Sequence, residues 1–149
     1  MSDAATTTDN VAVAVAREYF RLLDAGSPEL MSLFTSDFEF YFPKYGKGRG
    51  AEQLMEVVMG LGKRVASTKH DVSTYLFVAQ GDHVVVEGTT TGVLTNGETW
   101  AGGETPCGRF VNVYDFRNGK ISRVAIYLDM DYLNEAESAF LWGREGRNW

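Results

Sequence analysis

The sequence predicts an α+β domain in which helices cover one face of a strongly bent antiparallel sheet. Two runs rich in β-branched and aromatic residues, 109–116 and 120–128, flank Asn118-Gly119, a dipeptide favoured in the tight turn of a β-hairpin. Helical patterns dominate the first part of the chain and strand patterns the second, a segregation typical of α+β folds. The 149 residues, 44% of them hydrophobic, suffice for one well-buried domain and are short for two.

Residues 1–8 read as a flexible tail, 9–142 as the single domain and 143–149 as a second tail. Val11, Val15, Tyr19 and Leu22 recur at helical spacing, and Gly26 stops that helix. Ser27-Pro28-Glu29 restarts one with a capping serine, a proline at the first position and an acid near the positive end. Its apolar side is Leu30, Met31, Leu33 and Phe34. Phe38, Phe40 and Phe42 alternate with Glu39 and Tyr41 in a short strand ended by Pro43.

A glycine-rich loop, 44–50, leads to a third helix marked by Leu54, Val57, Val58 and Leu61. Strands are then expected at 69–79, 83–93 and 98–103, before the 109–128 hairpin. Gly102, Gly103 and Pro106 predict a bulge or bend ahead of it. Leu133, Ala136, Glu137 and Phe140 suggest a short last helix. A bent sheet under helices leaves a conical cavity, the kind of concave apolar space in which small ligands bind.

A net charge of −6 without a Lys/Arg cluster disfavours nucleic acid and anionic membrane as partners. No run of about 18 apolar residues is present to span a bilayer. One cysteine, Cys107, excludes an intrachain disulfide, and with the polar start of the chain it favours a cytoplasmic location. No metal-ligand spacing occurs, and no cofactor is expected.

The phrases REYFRLLDAGSPELMSLFTSDFEFYFP and GRFVNVYDFRNGKISRVAIYLDMDYL, with the strands between them, resemble the SnoaL-like branch of the nuclear transport factor 2-like superfamily. That superfamily includes ketosteroid isomerase and limonene-epoxide hydrolase. The resemblance implies a cone-shaped, cystatin-like α+β barrel of four long strands and a short one, three N-terminal helices and a short C-terminal helix. It also implies a homodimer formed through the outer sheet face. It puts Tyr19 at the position of the isomerases' tyrosine oxyanion donor and Asn112 at that of their second donor. The isomerases' general base, an aspartate before a proline, falls on Phe42 before Pro43. The three hydrolase positions fall on Ile126, Gly88 and Thr90, so neither known mechanism carries over unchanged.

His70, in STKHDVSTY, is the candidate base, because an imidazole exchanges a proton near neutral pH. The competing reading is a surface histidine at a strand end; His83, beside a turn, is expected to be exposed. Tyr19 and Asn112 would donate to an oxyanion, or else be satisfied within the core. Phe42, Tyr45, Trp100, Phe110, Tyr114, Val124, Ile126 and Leu128 are the expected cavity lining, with Lys44 and Tyr45 at its mouth. Asp129 and Asp131 read as helix or turn caps, Cys107 as structural, and Arg109 as one half of an ion pair with Glu87, Glu104 or Asp129.

The function expected is a cofactor-independent isomerase, cyclase or hydrolase. It would act on a small, mostly apolar carbonyl or cyclic metabolite through His70, Tyr19 and Asn112. The alternative is a non-catalytic dimeric ligand-binding or scaffold domain of the same fold.

Overall fold

The computed structural model describes residues 3–136, 139 and 146–149. Helix α1 spans Asp3–Asp24, so it begins within the stretch expected as a tail. A 3-10 helix follows at Pro28–Leu33, then β1 (Phe34–Phe42), β2 (Gly46–Arg49), α2 (Gly50–Leu61) and β3 (Val65–His70). A second 3-10 turn at Val72–Thr74 leads to β4 (Leu76–Gln80), β5 (His83–Leu94), β6 (Thr99–Ala101), β7 (Arg109–Arg117) and β8 (Lys120–Leu128).

The hairpin forms where predicted. Asn118 and Gly119 take φ of 52° and 75°, the positive values that a tight hairpin turn needs at both central positions. Four expectations are corrected. The second helix is a 3-10 helix, capped at Ser27 Oγ by the Glu29 N–H, and Phe34 belongs to β1. The expected strand 69–79 is two strands, because the Asp71 carboxylate draws the Ser73 N–H into a turn between them. The sheet is not wholly antiparallel: β1 lies parallel to β8, an arrangement allowed by the long chain between them. The buried residues of α1 are Ala12, Ala16, Tyr19, Phe20 and Leu22, so Tyr19 and Leu22 lie inward as expected while Val11 is exposed. The small alanines let the helix lie close to the sheet. The predicted last helix falls partly outside the described residues; 131–136 form turns, with Asp131 accepting the Glu135 and Ala136 N–H groups.

The strands run β2-β1-β8-β7-β5-β3 across one sheet, with β4 and β6 also paired to β5. The first half of β5 lies between β4 and β7. Its second half lies between β3 and β6. The strand therefore carries the bend. Gly88 and Gly92 sit at it, and a Cβ at Gly88 would lie 2.5 Å from the Tyr75 ring. Two hydrophobic clusters result. The larger joins α1 to β1, β5, β7 and β8 around Phe20, Phe38 and Tyr114. The smaller gathers Val65, Leu94, Trp100 and Cys107 at the bent end.

Adding a methyl group at Gly92 would bring it to 2.1 Å from Trp100 Cη2 and 2.5 Å from the Ser67 carbonyl oxygen. Gly92→Ala is therefore expected to destabilise the fold by about 1–3 kcal/mol, read as a lowered urea midpoint with unchanged slope. An unchanged midpoint would show that β5 does not need this close approach.

Candidate active site

Between the two clusters lies a cavity of 380 Å³, within the range of pockets that hold small organic ligands. Tyr19, Phe20, Leu23 and Asp24 of α1 form one wall, and His70, at the end of β3, stands beside them. Phe110 and Asn112 of β7 and Ile126 and Leu128 of β8 supply another wall, with Phe42, Leu61, Trp100 and Tyr132 toward the bent end.

The polar centre is a pair that the sequence does not announce. His70 Nδ1 lies 2.5 Å from Asp24 Oδ1, and the His70 backbone N–H donates to Asp24 Oδ2 at 2.8 Å. Both carboxylate oxygens are thus held by one residue 46 positions away. An ionised carboxylate only accepts, so Nδ1 carries a proton in this contact, and in the neutral imidazole that leaves the lone pair on Nε2. The imidazole side chain is 10% exposed, with the Phe20 ring 5.1 Å and the Phe110 ring 5.8 Å away. The imidazole is held by Asp24 inside an aromatic wall, not at the surface of a strand end. His83 behaves otherwise: its side chain is 65% exposed and meets Asp115 at 2.9 Å.

Tyr19 is buried and its ring meets Phe20, Phe34 and Tyr114 edge-on. Burial pushes its phenol well above the ordinary value, keeping it a neutral donor. Asn112 also reaches the cavity wall, but its Nδ2 donates to Tyr114 Oη at 2.9 Å. Its Oδ1 is buried without a partner among the described residues, so the amide presents an acceptor as well. The bond to Tyr114 uses one of the two Nδ2 hydrogens, and the Tyr19 phenol lines the same cavity.

Of the expected lining, Phe42, Trp100, Phe110, Ile126 and Leu128 do face the cavity. Tyr114 and Val124 are packed into the main cluster instead, at 0% and 1% exposure. Tyr45 stands outside, its hydroxyl donating to Glu56 at 2.7 Å. Arg109 is exposed at the cavity edge. It makes no ion pair with Glu87, Glu104 or Asp129, and its Nη2 donates to the Trp149 carbonyl at 2.6 Å. Asp129 and Asp131 accept backbone N–H groups, as expected of caps. Cys107 is buried and its Sγ contacts the Tyr132 carbonyl at 3.4 Å; burial pushes the thiol up, consistent with a structural role. Among the described residues no group of three or more His, Cys, Asp or Glu side chains gathers to hold a metal, and no helix is long and apolar enough to cross a membrane.

Asp24 was discoverable in principle. An acid in the last turn of a helix faces the negative end of the dipole, so it needs a partner to offset that placement. The sequence gives no hint of which partner.

Burial raises the phenols of Tyr19, Tyr75 and Tyr114 and pushes that of Tyr132 up to about 12. The folded state then holds protons that the unfolded chain releases near pH 10, so stability is full below about that pH and falls as pH rises through the folded values. The urea midpoint is expected to decline above about pH 10, with phenolate absorbance lagging that of the unfolded chain by these tyrosines. Full phenolate absorbance at that pH in the folded protein would contradict the burial.

The model of the SnoaL-like domain matches residues 16–124. A candidate polyketide cyclase from Xanthomonas campestris pv. campestris is 16% identical, with 83% of this chain and 93% of that one covered at a TM-score of 0.71. An NTF2-like protein of unknown function from Burkholderia pseudomallei K96243 is 17% identical, with coverage of 83% and 95% and a TM-score of 0.69. TerC, co-crystallised with polyporic acid, is 21% identical, with coverage of 84% and 96% and a TM-score of 0.67. No curated protein matches. With most of its length matched by the family model, the chain belongs to the SnoaL-like domain family, and its fold is that of the NTF2-like structures.

Proposed function

We propose that this chain is a cofactor-independent acid–base enzyme of the isomerase or cyclase type, acting on a small carbonyl or cyclic metabolite. The observation that carries the reading is the Asp24–His70 pair set in the wall of an aromatic cavity that Tyr19 also lines. Nε2 of His70 takes a proton from a carbon next to the substrate carbonyl, and the Tyr19 hydroxyl donates to the enolate oxygen that forms. Asp24 holds the imidazole and stabilises the imidazolium. The proton then returns to a different carbon, giving the isomer, or the enolate carbon attacks a second carbonyl carbon of the same molecule, whose C=O π bond opens to an alkoxide that takes the imidazolium proton as the ring closes. The names of the neighbours, candidate polyketide cyclases among them, favour this class over hydrolysis.

His70→Ala is expected to lower turnover by about 10²–10⁴-fold, the usual contribution of a positioned base. Asp24→Asn should lower kcat more than it changes KM, and Tyr19→Phe should cost about 10²–10³-fold, as for a lost oxyanion donor. The assay is mass spectrometry of a metabolite extract incubated with each folded variant. Undiminished turnover by His70→Ala would remove the base from the mechanism. A compound retained unchanged by wild type and variant alike would favour the ligand-binding alternative.

The same proposal includes a homodimer and a cytoplasmic location, the latter supported by the lone cysteine. Leu76, Val78, Val85, Val111, Val113 and Tyr127 fall on the outer face of paired strands, opposite the buried row of Val84, Val86 and Tyr114. Leu76, Val78 and Tyr127 are 57%, 53% and 49% exposed, an apolar area large enough to favour association. Sedimentation is expected to give twice the chain mass, and the double variant Val78→Lys/Tyr127→Lys to give the monomer; a monomeric wild type would refute the dimer.

A further inference from the structure

Phe42, Leu61 and Tyr132 line the main cavity and also a second one. The second measures 220 Å³ and lies between the turn after β1, the C-terminal half of α2 and the segment that follows β8. Alone it is smaller than the roughly 300 Å³ at which pockets hold a typical small ligand. Next to the 380 Å³ cavity it is a substantial annex, separated from it by a layer of half-buried side chains. Its walls are mostly apolar, with Pro43, Val57 and Met130 added to the three shared residues, while Lys44, Glu56 and Arg64 also border it. The Tyr45–Glu56 hydrogen bond fastens the turn to α2 and so fixes the outer wall.

We propose that the two cavities are one ligand site with two lobes. The oxygenated head of the ligand sits against His70 and Tyr19, and an apolar arm, aromatic or aliphatic, passes between Phe42, Leu61 and Tyr132 into the second lobe. The proposal rests on the head-site reading given above and adds the shape of the ligand: elongated, polar at one end only. A compact single-ring compound fills the first lobe and leaves the second to water, forgoing the burial of apolar surface that the arm supplies.

Gly60 provides the test. Glu56, Val57, Gly60 and Leu61 all line the second lobe and make one stripe of α2, with Gly60 in its middle. A Cβ added at Gly60 meets no atom within 4 Å, and its φ is not positive, so a larger side chain is accepted at the border of the lobe without strain. Leucine is also the better helix former, so Gly60→Leu is expected to fold.

Calorimetric titration would use two phenols as mimics of an enolate head, 4-ethylphenol and 4-(4-phenylbutyl)phenol. Wild type is expected to bind the long phenol at least about tenfold more tightly. Gly60→Leu should erase that advantage while leaving the Kd of the short one within about twofold. If the long phenol keeps its advantage in Gly60→Leu, or has none in wild type while the short one binds, the second lobe is refuted and the head site stands. If neither phenol binds wild type, the head site fails and the two-lobed site with it.

Discussion

The fold turns on two missing side chains. At Gly88 and Gly92 the backbone of β5 is bare, and the Tyr75 ring lies on the first as the Trp100 ring lies on the second. Any Cβ there would occupy the space of a ring, so the strand can accept both aromatics only as glycine. Between the two, the Thr90 N–H donates to the Gly108 carbonyl at 2.7 Å, and Thr90 Oγ1 accepts from Trp100 Nε1 at 3.0 Å. The strand thus leaves one set of neighbours and joins another without losing its hydrogen bonds. A flat β5 would carry one continuous core; the bent one separates two clusters and leaves the cavity between them.

The same bend brings β3 beside the end of α1, and this places His70 against Asp24. A structural purpose for the pair is a poor explanation of its position. The imidazole is 10% exposed and the Asp24 side chain 27%, so the pair is only partly withdrawn from water, and ion pairs open to solvent add little to stability. The three aromatic rings around His70 already supply the packing there. In the proposed mechanism what the pair adds is chemical: one tautomer, one ring orientation and a counter-charge for the protonated form. Tyr19 completes the set through the opposite device, since burial without a charged partner keeps its hydroxyl protonated.

Local signals made the hairpin and α2 legible, because Asn118-Gly119 and the Leu54–Val57–Leu61 spacing each act within a few residues. The break after His70 was less visible. Asp71 reads as one more polar residue in an alternating run until its carboxylate is seen taking the Ser73 N–H. The Asp24–His70 pair was illegible for a different reason: it joins residues 46 positions apart across a bend that no local pattern encodes. Alternation correctly put Asn112, Tyr114, Val124 and Ile126 on the inward face, yet it does not say how far along the strand the core ends and the cavity begins. Tyr114 and Val124 lie on the packed side of that boundary, Asn112 and Ile126 on the open side.

That boundary also bears on the base positions that the relatives use and this chain lacks. Phe42 on β1 and Ile126 on β8 are both cavity-lining here, so the wall is kept at those points and only its chemistry is lost. A cavity enclosed by several elements can take a base from any of them, because what a base requires is reach to the substrate carbon and not a particular strand. Under the proposed mechanism the base comes from β3 and the donor from α1, with Asp24 of α1 anchoring the base to the helix that carries the donor. Base and donor then share one support, and their relative geometry depends on a single helix–strand contact. Moving the base from the β1 or β8 wall to β3 leaves the enolate oxygen with Tyr19 but changes the side from which the proton departs. Under the same mechanism that change of wall selects the substrate carbon that reacts, and one scaffold reaches a different compound without altering its core.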